Sequence, residues 1–343
     1  MLGALRFCGP FAFALSIPLL YLIVGPWAPF LTVAALLGAL IGAELVTSRG
    51  QGKVLMGGAR QFRLLPNLFV PVQLAVIAWA VVAGRTASPT GFAALAISVG
   101  VTTGVFGILA AHELVHGHNR SERLLGLVML TAMSYRHFRV AHIVGHHRWA
   151  ATERDPASAR LGESFYRFLL RTVMAQFTDA WGIENRRVAA RGGTILQHRI
   201  ACDVLAMLVL YGALLATLGA RSMALFAAQS VVGIVVLELF NYIAHYGLSR
   251  RQLGKGHEPV TAAHSWNSSN ALANALIFNM GRHSSHHARP AAPFETLEWI
   301  ADAPELPAGY AGSILLALVP PLWQRVMDPE VQKLHTRASN APA

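Results

Sequence analysis

Nine histidines fall into four short clusters of this sequence, and their type and spacing suit metal binding. In chain order they are His112, His116, His142, His146, His147, His245, His283, His286 and His287. The last three occupy positions i, i+3 and i+4, which share one face of a helix. Histidines that merely lie at helix ends near a membrane surface would not be expected to form HxxxH, HxxxHH and HxxHH sets. The clusters therefore predict a metal centre.

The number of imidazoles indicates more than one metal ion. Nine neutral imidazoles exceed the ligands that one tetrahedral or octahedral ion takes. Two ions sharing these nitrogens, with a position or two left for water or dioxygen, fit the number. Imidazole binds zinc, copper, iron and nickel. A histidine-rich, carboxylate-poor site with an open position favours iron in oxygen chemistry.

The four clusters stand where apolar runs end. "HELVH" (112–116) continues the helix of one long run, and "NYIAHYGL" (241–248) closes another. "HIVGHH" (142–147) follows an apolar stretch (124–135) that is too short to cross a bilayer and is interpreted as re-entrant or interfacial. "RHSSHH" (282–287) follows another short apolar helix. The clusters are therefore predicted to meet at one membrane face.

The composition around them is that of an integral membrane protein. Of 343 residues, 54% are hydrophobic and 13% are charged, whereas soluble domains carry roughly 25% charged residues. The basic residues stand between apolar runs, which argues against a nucleic-acid partner. Six runs approach the ~20 apolar residues that cross a bilayer. They lie near 8–26, 28–46, 65–83, 90–111, 201–219 and 222–243.

The charge of the connecting segments predicts the orientation. Segments 47–63 and 112–200 are rich in basic residues, whereas 84–90 and 219–222 carry one Arg each. The positive-inside rule therefore places both termini and the histidine clusters in the cytoplasm.

The predicted fold class is all-α. We expect one domain over residues 1–343, an integral membrane bundle of six transmembrane helices. A cytoplasmic helical cap, formed by 112–200 and 244–343, would carry the histidine clusters.

The clusters and their surroundings resemble the histidine boxes of the membrane-bound alkane 1-monooxygenases. The matching stretches are "HELVH", "HIVGHHRWAATERDPASARLGES", "NYIAHYGL" and "HSWNSSNALANALIFNMGRHSSHHARP". These enzymes belong to the membrane fatty acid desaturase and hydroxylase superfamily, together with the xylene monooxygenases. The resemblance runs from about residue 50 to "LVPPLWQRVMDPEV" (318–331). The patterns NYxxHYGL and HSWN…RHSxHH favour the alkane hydroxylase branch over the desaturases.

The resemblance implies a non-haem diiron monooxygenase with two iron ions bound by the nine histidines. It would insert one oxygen atom of O₂ into an unactivated C–H bond of a hydrophobic substrate, by terminal hydroxylation of an alkane or of an alkyl or aryl methyl group. The implied location is the bacterial cell inner membrane, crossed several times, with both termini cytoplasmic.

The resemblance also implies electron delivery by a rubredoxin or ferredoxin and its NAD(P)H-dependent reductase. The chain has two cysteines and no paired CxxC motif of a fused rubredoxin, so a separate donor is expected. Basic residues would attract an acidic partner or anionic lipid heads of the bilayer. They include Arg120, Arg123, Arg148, Arg154, Arg160, Arg167 and Arg171.

Two positions depart from the resemblance. The family usually has Glu where this chain has Ala141 and Ala244. A carboxylate there would orient a ligand imidazole or partly neutralise the ions. Asp155 is the first candidate to replace it, although an Asp-Pro turn paired with arginines would also explain this residue. Further candidates beside the ligands are His264, Glu163 and Glu113.

An apolar channel between the spans would bring the substrate to the metals. Gly104 could leave room for such a channel or, more commonly, allow close contact between helices. Trp79 and Phe69 are candidates for setting the length of the bound chain.

Two other functions remain open. A fatty acyl or lipid desaturase or hydroxylase would need a cavity that accepts a carrier-linked head group. A histidine-rich metal transporter or storage protein would place ionisable residues along a pathway within the spans. The predicted spans hold almost none apart from Glu44 and Glu238, which argues against transport.

Overall fold

The computed structural model describes residues 2–46, 59–117 and 119–339. Most of the basic segment 47–63, including Arg49 and Lys53, lies outside the described residues, as does His118. The described chain is mostly helical, which confirms the all-α prediction.

Sixteen helices and one short hairpin make up the described fold. The longer helices are α2 (Gly9–Ile23), α3 (Phe30–Val46), α4 (Ala59–Ala83), α5 (Pro89–Thr102), α6 (Ile108–His116), α7 (Arg120–Ala132), α10 (Phe165–Ala189), α11 (Arg199–Leu218), α12 (Ala220–His245), α15 (Gly309–Ala317) and α16 (Pro320–Ser339). The short helices are α1 (Leu2–Leu5), α8 (Phe138–Val140), α9 (His147–Trp149), α13 (Ala271–Leu276) and α14 (His283–Ala288). The hairpin pairs β1 (Gln252–Leu253) antiparallel with β2 (Gly256–His257). Further turns are π-helical (Thr103–Gly107, Ala141–His146) or 3₁₀ (Ile195–Gln197, Ala262–His264, Phe294–Thr296).

Four of the described helical segments are long and apolar enough to cross a membrane. They are Gln61–Ala83, Pro89–His116, Arg199–Leu218 and Ala220–His245. The first two predicted spans correspond to the shorter apolar helices α2 and α3, of 15 and 17 residues. The short apolar stretch 124–135 forms most of α7 and the turn after it. This helix leads from the first histidine cluster toward the second.

The end of the bundle opposite the histidines is closed by hydrogen bonds between two helix connections. Ser88 caps α5 by accepting a hydrogen bond from the Gly91 amide at 3.1 Å. Arg221, at the start of α12, donates to the Ala87 carbonyl at 2.6 Å. The α4–α5 and α11–α12 connections therefore lie side by side.

Small residues let α12 pack closely against the segment from α5 to α6. A Cβ atom on Gly104 would lie 2.6 Å from the Gly233 carbonyl oxygen. A Cβ atom on Gly100 would lie 2.5 Å from Val232. Close helix contact is therefore one role of Gly104, and it brings His112 and His116 beside the end of α12.

Candidate metal centre

All nine predicted histidines lie together at one end of the long helices, in two groups. The five-imidazole group contains His112, His116, His142, His147 and His286. The four-imidazole group contains His146, His245, His283 and His287. Within each group the ring nitrogens lie within 4.8 Å of one another. All nine side chains are buried except those of His116 and His147, which are half-buried.

A π-helical turn divides the second cluster between the two groups. Ala141–His146 forms this turn, in which residues i and i+5 align. The Nε2 atoms of His142 and His147 consequently lie 3.0 Å apart in the five-imidazole group. His146 points instead to the four-imidazole group, where its Nε2 lies 3.2 Å from that of His287.

The rings of each group face one another through Nε2. In the five-imidazole group, the Nε2 of His112 lies 2.8 Å from that of His142 and 3.1 Å from that of His286. In the four-imidazole group, the Nε2 of His283 lies 3.1 Å from those of His245 and His287. Two nitrogens that bind one ion at about 2.1 Å and at a right angle are about 3.0 Å apart. A neutral imidazole has one N–H, so this crowding of nitrogens fits metal ligation better than a hydrogen-bonded network.

Burial keeps the imidazoles of the cap in the form that binds metals. Desolvation, followed by repulsion from neighbouring imidazoles, holds the pKa values of His142, His147, His283, His286 and His287 well below their usual range. A metal ligand must be the neutral imidazole. These side chains are therefore preorganised as nitrogen donors.

Two outer nitrogens of the four-imidazole group have hydrogen-bond acceptors. The Nδ1–H of His146 donates to Asp155 Oδ2 at 2.8 Å, and the Ser158 hydroxyl donates to the same oxygen at 2.7 Å. The Nδ1–H of His245 donates to the backbone carbonyl of His264 at 3.2 Å. Such acceptors fix the tautomer, so that Nε2 presents its lone pair to the interior of the group.

The side chains of the other residues predicted to lie beside the ligands have partners outside the two imidazole groups. The His264 side chain points to Thr261 and Glu258, and only its carbonyl contacts a clustered histidine. Glu163 pairs with Arg171 at 2.8 Å. Glu113 accepts a hydrogen bond from the Phe294 amide at 3.3 Å.

Ala141 and Ala244, where the resemblance leads one to expect carboxylates, are both buried. Ala141 packs among Val140, Ala180 and Ile200. The carboxylate that the described structure does place beside a clustered imidazole is Asp155, from a loop.

An apolar cavity of about 300 Å³ reaches the imidazoles from within the bundle. His112, His142 and His283 line it, and the rest of its wall comes chiefly from aliphatic side chains of α3, α12, α13 and α15 and of the α5–α6 segment. Gly104, a candidate channel residue, is among its lining residues. The sequence does not indicate that α3, α13 and α15 line the cavity, because a helix that is apolar all round does not reveal which face meets a cavity.

The two aromatic channel candidates pack elsewhere in the bundle. Trp79 contacts Tyr21 with the ring centroids 5.5 Å apart. Phe69 lies between Phe11 and Phe106, at 5.3 and 6.1 Å. Neither is among the cavity-lining residues of the described chain.

The fold and the site define a membrane protein with histidine-rich metal-binding groups and an apolar cavity that these groups border. Comparisons with known proteins narrow this class. The family model for fatty acid desaturases matches residues 87–314. Alkane 1-monooxygenase 1 of Pseudomonas aeruginosa is 37% identical over 80% of this chain and 74% of its own length.

Two further relatives agree with this match. An alkane 1-monooxygenase of Pseudomonas putida is 35% identical over 87% of this chain and 75% of its own length. The xylene/toluene monooxygenase hydroxylase component of Pseudomonas putida is 26% identical over 68% and 63%. The chain therefore belongs to the fatty acid desaturase family and, within it, to the alkane 1-monooxygenases, and it is a membrane-bound oxygenase.

Proposed function

We propose that this protein is a diiron monooxygenase that hydroxylates an alkane or an alkyl or aryl methyl group with one oxygen atom of O₂. The observation that carries this proposal is that imidazoles of both groups line the apolar cavity: His112 and His142 from one group and His283 from the other. A hydrocarbon chain in this cavity would present one carbon to both ions. The names of the relatives support the same chemistry.

The nine histidines are the proposed ligands, and the unequal groups suit two ions with open positions. An octahedral ion in the five-imidazole group would keep one position free, and one in the four-imidazole group would keep two. When bound, the two iron ions would supply the binding and activation of O₂. The chain's own part is to hold neutral imidazoles in place, to orient His146 through Asp155, and to hold the hydrocarbon away from water in the cavity.

The lining of the cavity favours a hydrocarbon over a carrier-linked acyl substrate. Its walls are chiefly aliphatic, and Glu44 is the one acidic residue among the described lining residues. That carboxylate accepts a hydrogen bond from the Ala311 amide at 3.2 Å, so it is already engaged within the protein. A charged head group would find little to bind there.

We propose a single domain over residues 1–343 with six membrane crossings, in which α2 and α3 form the two shorter ones. The histidine groups and both termini would face the cytoplasm of a bacterial cell with the protein in its inner membrane. The basic segments 47–63 and 112–200 support this orientation.

The electron donor is proposed to be a separate rubredoxin or ferredoxin, served by an NAD(P)H-dependent reductase. His116 and His147 are the half-buried members of the centre. Next to His147, the guanidinium groups of Arg148 and Arg154 lie 4.9 and 4.0 Å from the Trp149 ring. A basic surface beside the least buried imidazoles suits an acidic redox protein.

Product formation in purified membranes or detergent tests the proposal. With O₂, the donor system and octane or a xylene, we expect an alcohol whose oxygen derives from ¹⁸O₂. A fatty acyl substrate serves as the comparison. Desaturated acyl product without hydroxylation of either hydrocarbon would overturn the proposal.

A further inference from the structure

Asp203 is a buried carboxylate in a helix that is otherwise largely exposed on the outside of the bundle. The buried residues of α11 are Ile200 and Asp203, and Asp203 is 3% exposed. By its hydropathy alone, this helix is an ordinary apolar membrane span. A carboxylate at such a position is costly unless it is paired.

Two guanidinium groups pair with Asp203. Arg136 Nε donates to Oδ1 at 2.7 Å, and Arg139 Nη2 donates to both carboxylate oxygens at 2.9 and 3.0 Å. Arg136 Nη1 also donates to Thr131 Oγ1 at 2.6 Å. Both arginines belong to the short segment that leads from α7 into the second histidine cluster, so one carboxylate on α11 ties that segment at two points.

Phe138 stands between these two arginines and connects them to the metal centre. Its ring stacks on His142 with centroids 4.6 Å apart and an interplanar angle of 15°. The same ring lines the apolar cavity, as His142 does. A shift of Phe138 would therefore change both the seating of a ligand imidazole and the shape of the cavity beside it.

Packing also holds this segment, since Phe138 and Val140 are both buried, but its backbone is short. The helix α8 comprises three residues and passes directly into the π-helical turn, and a single turn has little stability of its own. On its inner side, the Tyr135 hydroxyl donates to Glu238 Oε1 on α12 at 2.9 Å. The segment is thus held between two membrane helices, from α12 through Tyr135 and from α11 through Asp203.

We propose that Asp203 is a positioning residue of the metal centre, which holds Phe138 against His142 and the cavity through Arg136 and Arg139. The proposal rests on the proposed function in that the imidazoles bind metal ions and the cavity binds the substrate. Asp203 contacts neither.

The chain offers a matched control in Glu184. This carboxylate is 1% exposed and pairs with Arg187 at 2.7 Å and with Arg199 at 3.8 Å, near the same junction of α10 and α11. Its arginines do not flank a histidine cluster. Asp203→Asn and Glu184→Gln therefore both remove a buried, arginine-paired charge, but only the former releases Phe138.

The test is a cobalt(II) titration of apoprotein, followed by absorption, together with the positions at which the iron-loaded enzyme hydroxylates octane. Because outer partners of metal ligands are worth about 10–100-fold in affinity, we expect Asp203→Asn to weaken cobalt binding by about 10-fold, to alter the ligand-field bands, and to raise the share of internal alcohols. Glu184→Gln should leave all three unchanged. Asp203→Glu should restore part of the affinity.

Equal titrations, spectra and product positions for Asp203→Asn and the wild type would overturn the proposal and leave the proposed function standing. Failure of the wild type to bind cobalt would instead count against the metal centre itself. If Asp203→Asn does not insert into the membrane, the same measurements on Arg139→Lys replace it. That variant keeps the positive charge but loses the planar guanidinium that donates to both oxygens of Asp203. Wild-type spectra and products from that variant would likewise overturn the proposal.

Discussion

The five-imidazole and four-imidazole groups differ in how their outer nitrogens are held. In the four-imidazole group, Asp155 and the His264 carbonyl accept hydrogen bonds from two of the rings. Among the hydrogen bonds of the described chain, the five-imidazole group has no such acceptor, and packing such as Phe138 on His142 takes that role. Its His116 and His147 are also the half-buried members of the centre. If each group binds one ion, as proposed, this difference predicts that the ion of the five-imidazole group is the more accessible and the more easily exchanged.

Removal of one imidazole from each group gives the largest expected effect. His287→Ala should empty the four-imidazole group and His116→Ala the five-imidazole group, each leaving about one ion per chain. Turnover should fall by more than the ~100-fold that outer partners cost. Metal analysis of the purified variants measures this. Loss of both ions from either single variant would show that the groups form one cooperative site.

Asp155→Asn should change the metal affinity of the four-imidazole group alone, without removing a ligand. We expect one ion to bind about 10–100-fold more weakly, because the amide lacks the charge that orients His146. The other ion should be unaffected. Competition with a chelator measures both affinities. Glu163→Gln is the control, because that carboxylate pairs with Arg171; an equal effect there would remove Asp155 from the site.

Ala244→Glu should have a smaller effect, of a few-fold on metal retention. Ala244 is fully buried, and its neighbour His245 already has an acceptor in the His264 carbonyl. An added carboxylate would therefore crowd a satisfied site and lower metal content. Ala244→Gln separates the effect of volume from that of charge. Higher metal content in Ala244→Glu would mean that the four-imidazole group benefits from a carboxylate in addition to Asp155.

Removal of surface charge beside the five-imidazole group should have the smallest effect, on the rate of electron transfer. Arg148→Ala and Arg154→Ala should slow reduction by an acidic protein donor by a few-fold at low salt and by less at high salt. Reduction by dithionite should not change, since it needs no docking. Arg85→Ala, from the connection at the opposite end of the bundle, is the control. Equal slowing by that variant would place the donor elsewhere.

The sequence predicts that the nine histidines meet, but it does not predict how they divide between the two groups. Spacings of three and four residues indicate shared helical faces, and all nine imidazoles do converge. The assignment of His146 and His147 to different groups depends on a π-helical turn, which no spacing rule for α-helices anticipates. Asp155 could be nominated from its position near the second cluster, but its bond to His146 depends on how the loop folds back.

The bundle shows the same limits. Apolar runs locate the long helices, yet the cavity draws its walls from five helical segments, and its shape depends on which faces meet. The sequence does not single out Asp203, because one carboxylate scarcely lowers the mean hydropathy of a 20-residue helix.

The most direct test of the diiron centre is the metal content of the protein purified after expression with iron, together with its iron-dependent hydroxylation of octane. The two imidazole groups predict about two iron ions per chain, one in each group. A preparation with one zinc ion per chain, and with no iron-dependent hydroxylation after iron is supplied to the apoprotein, would contradict it.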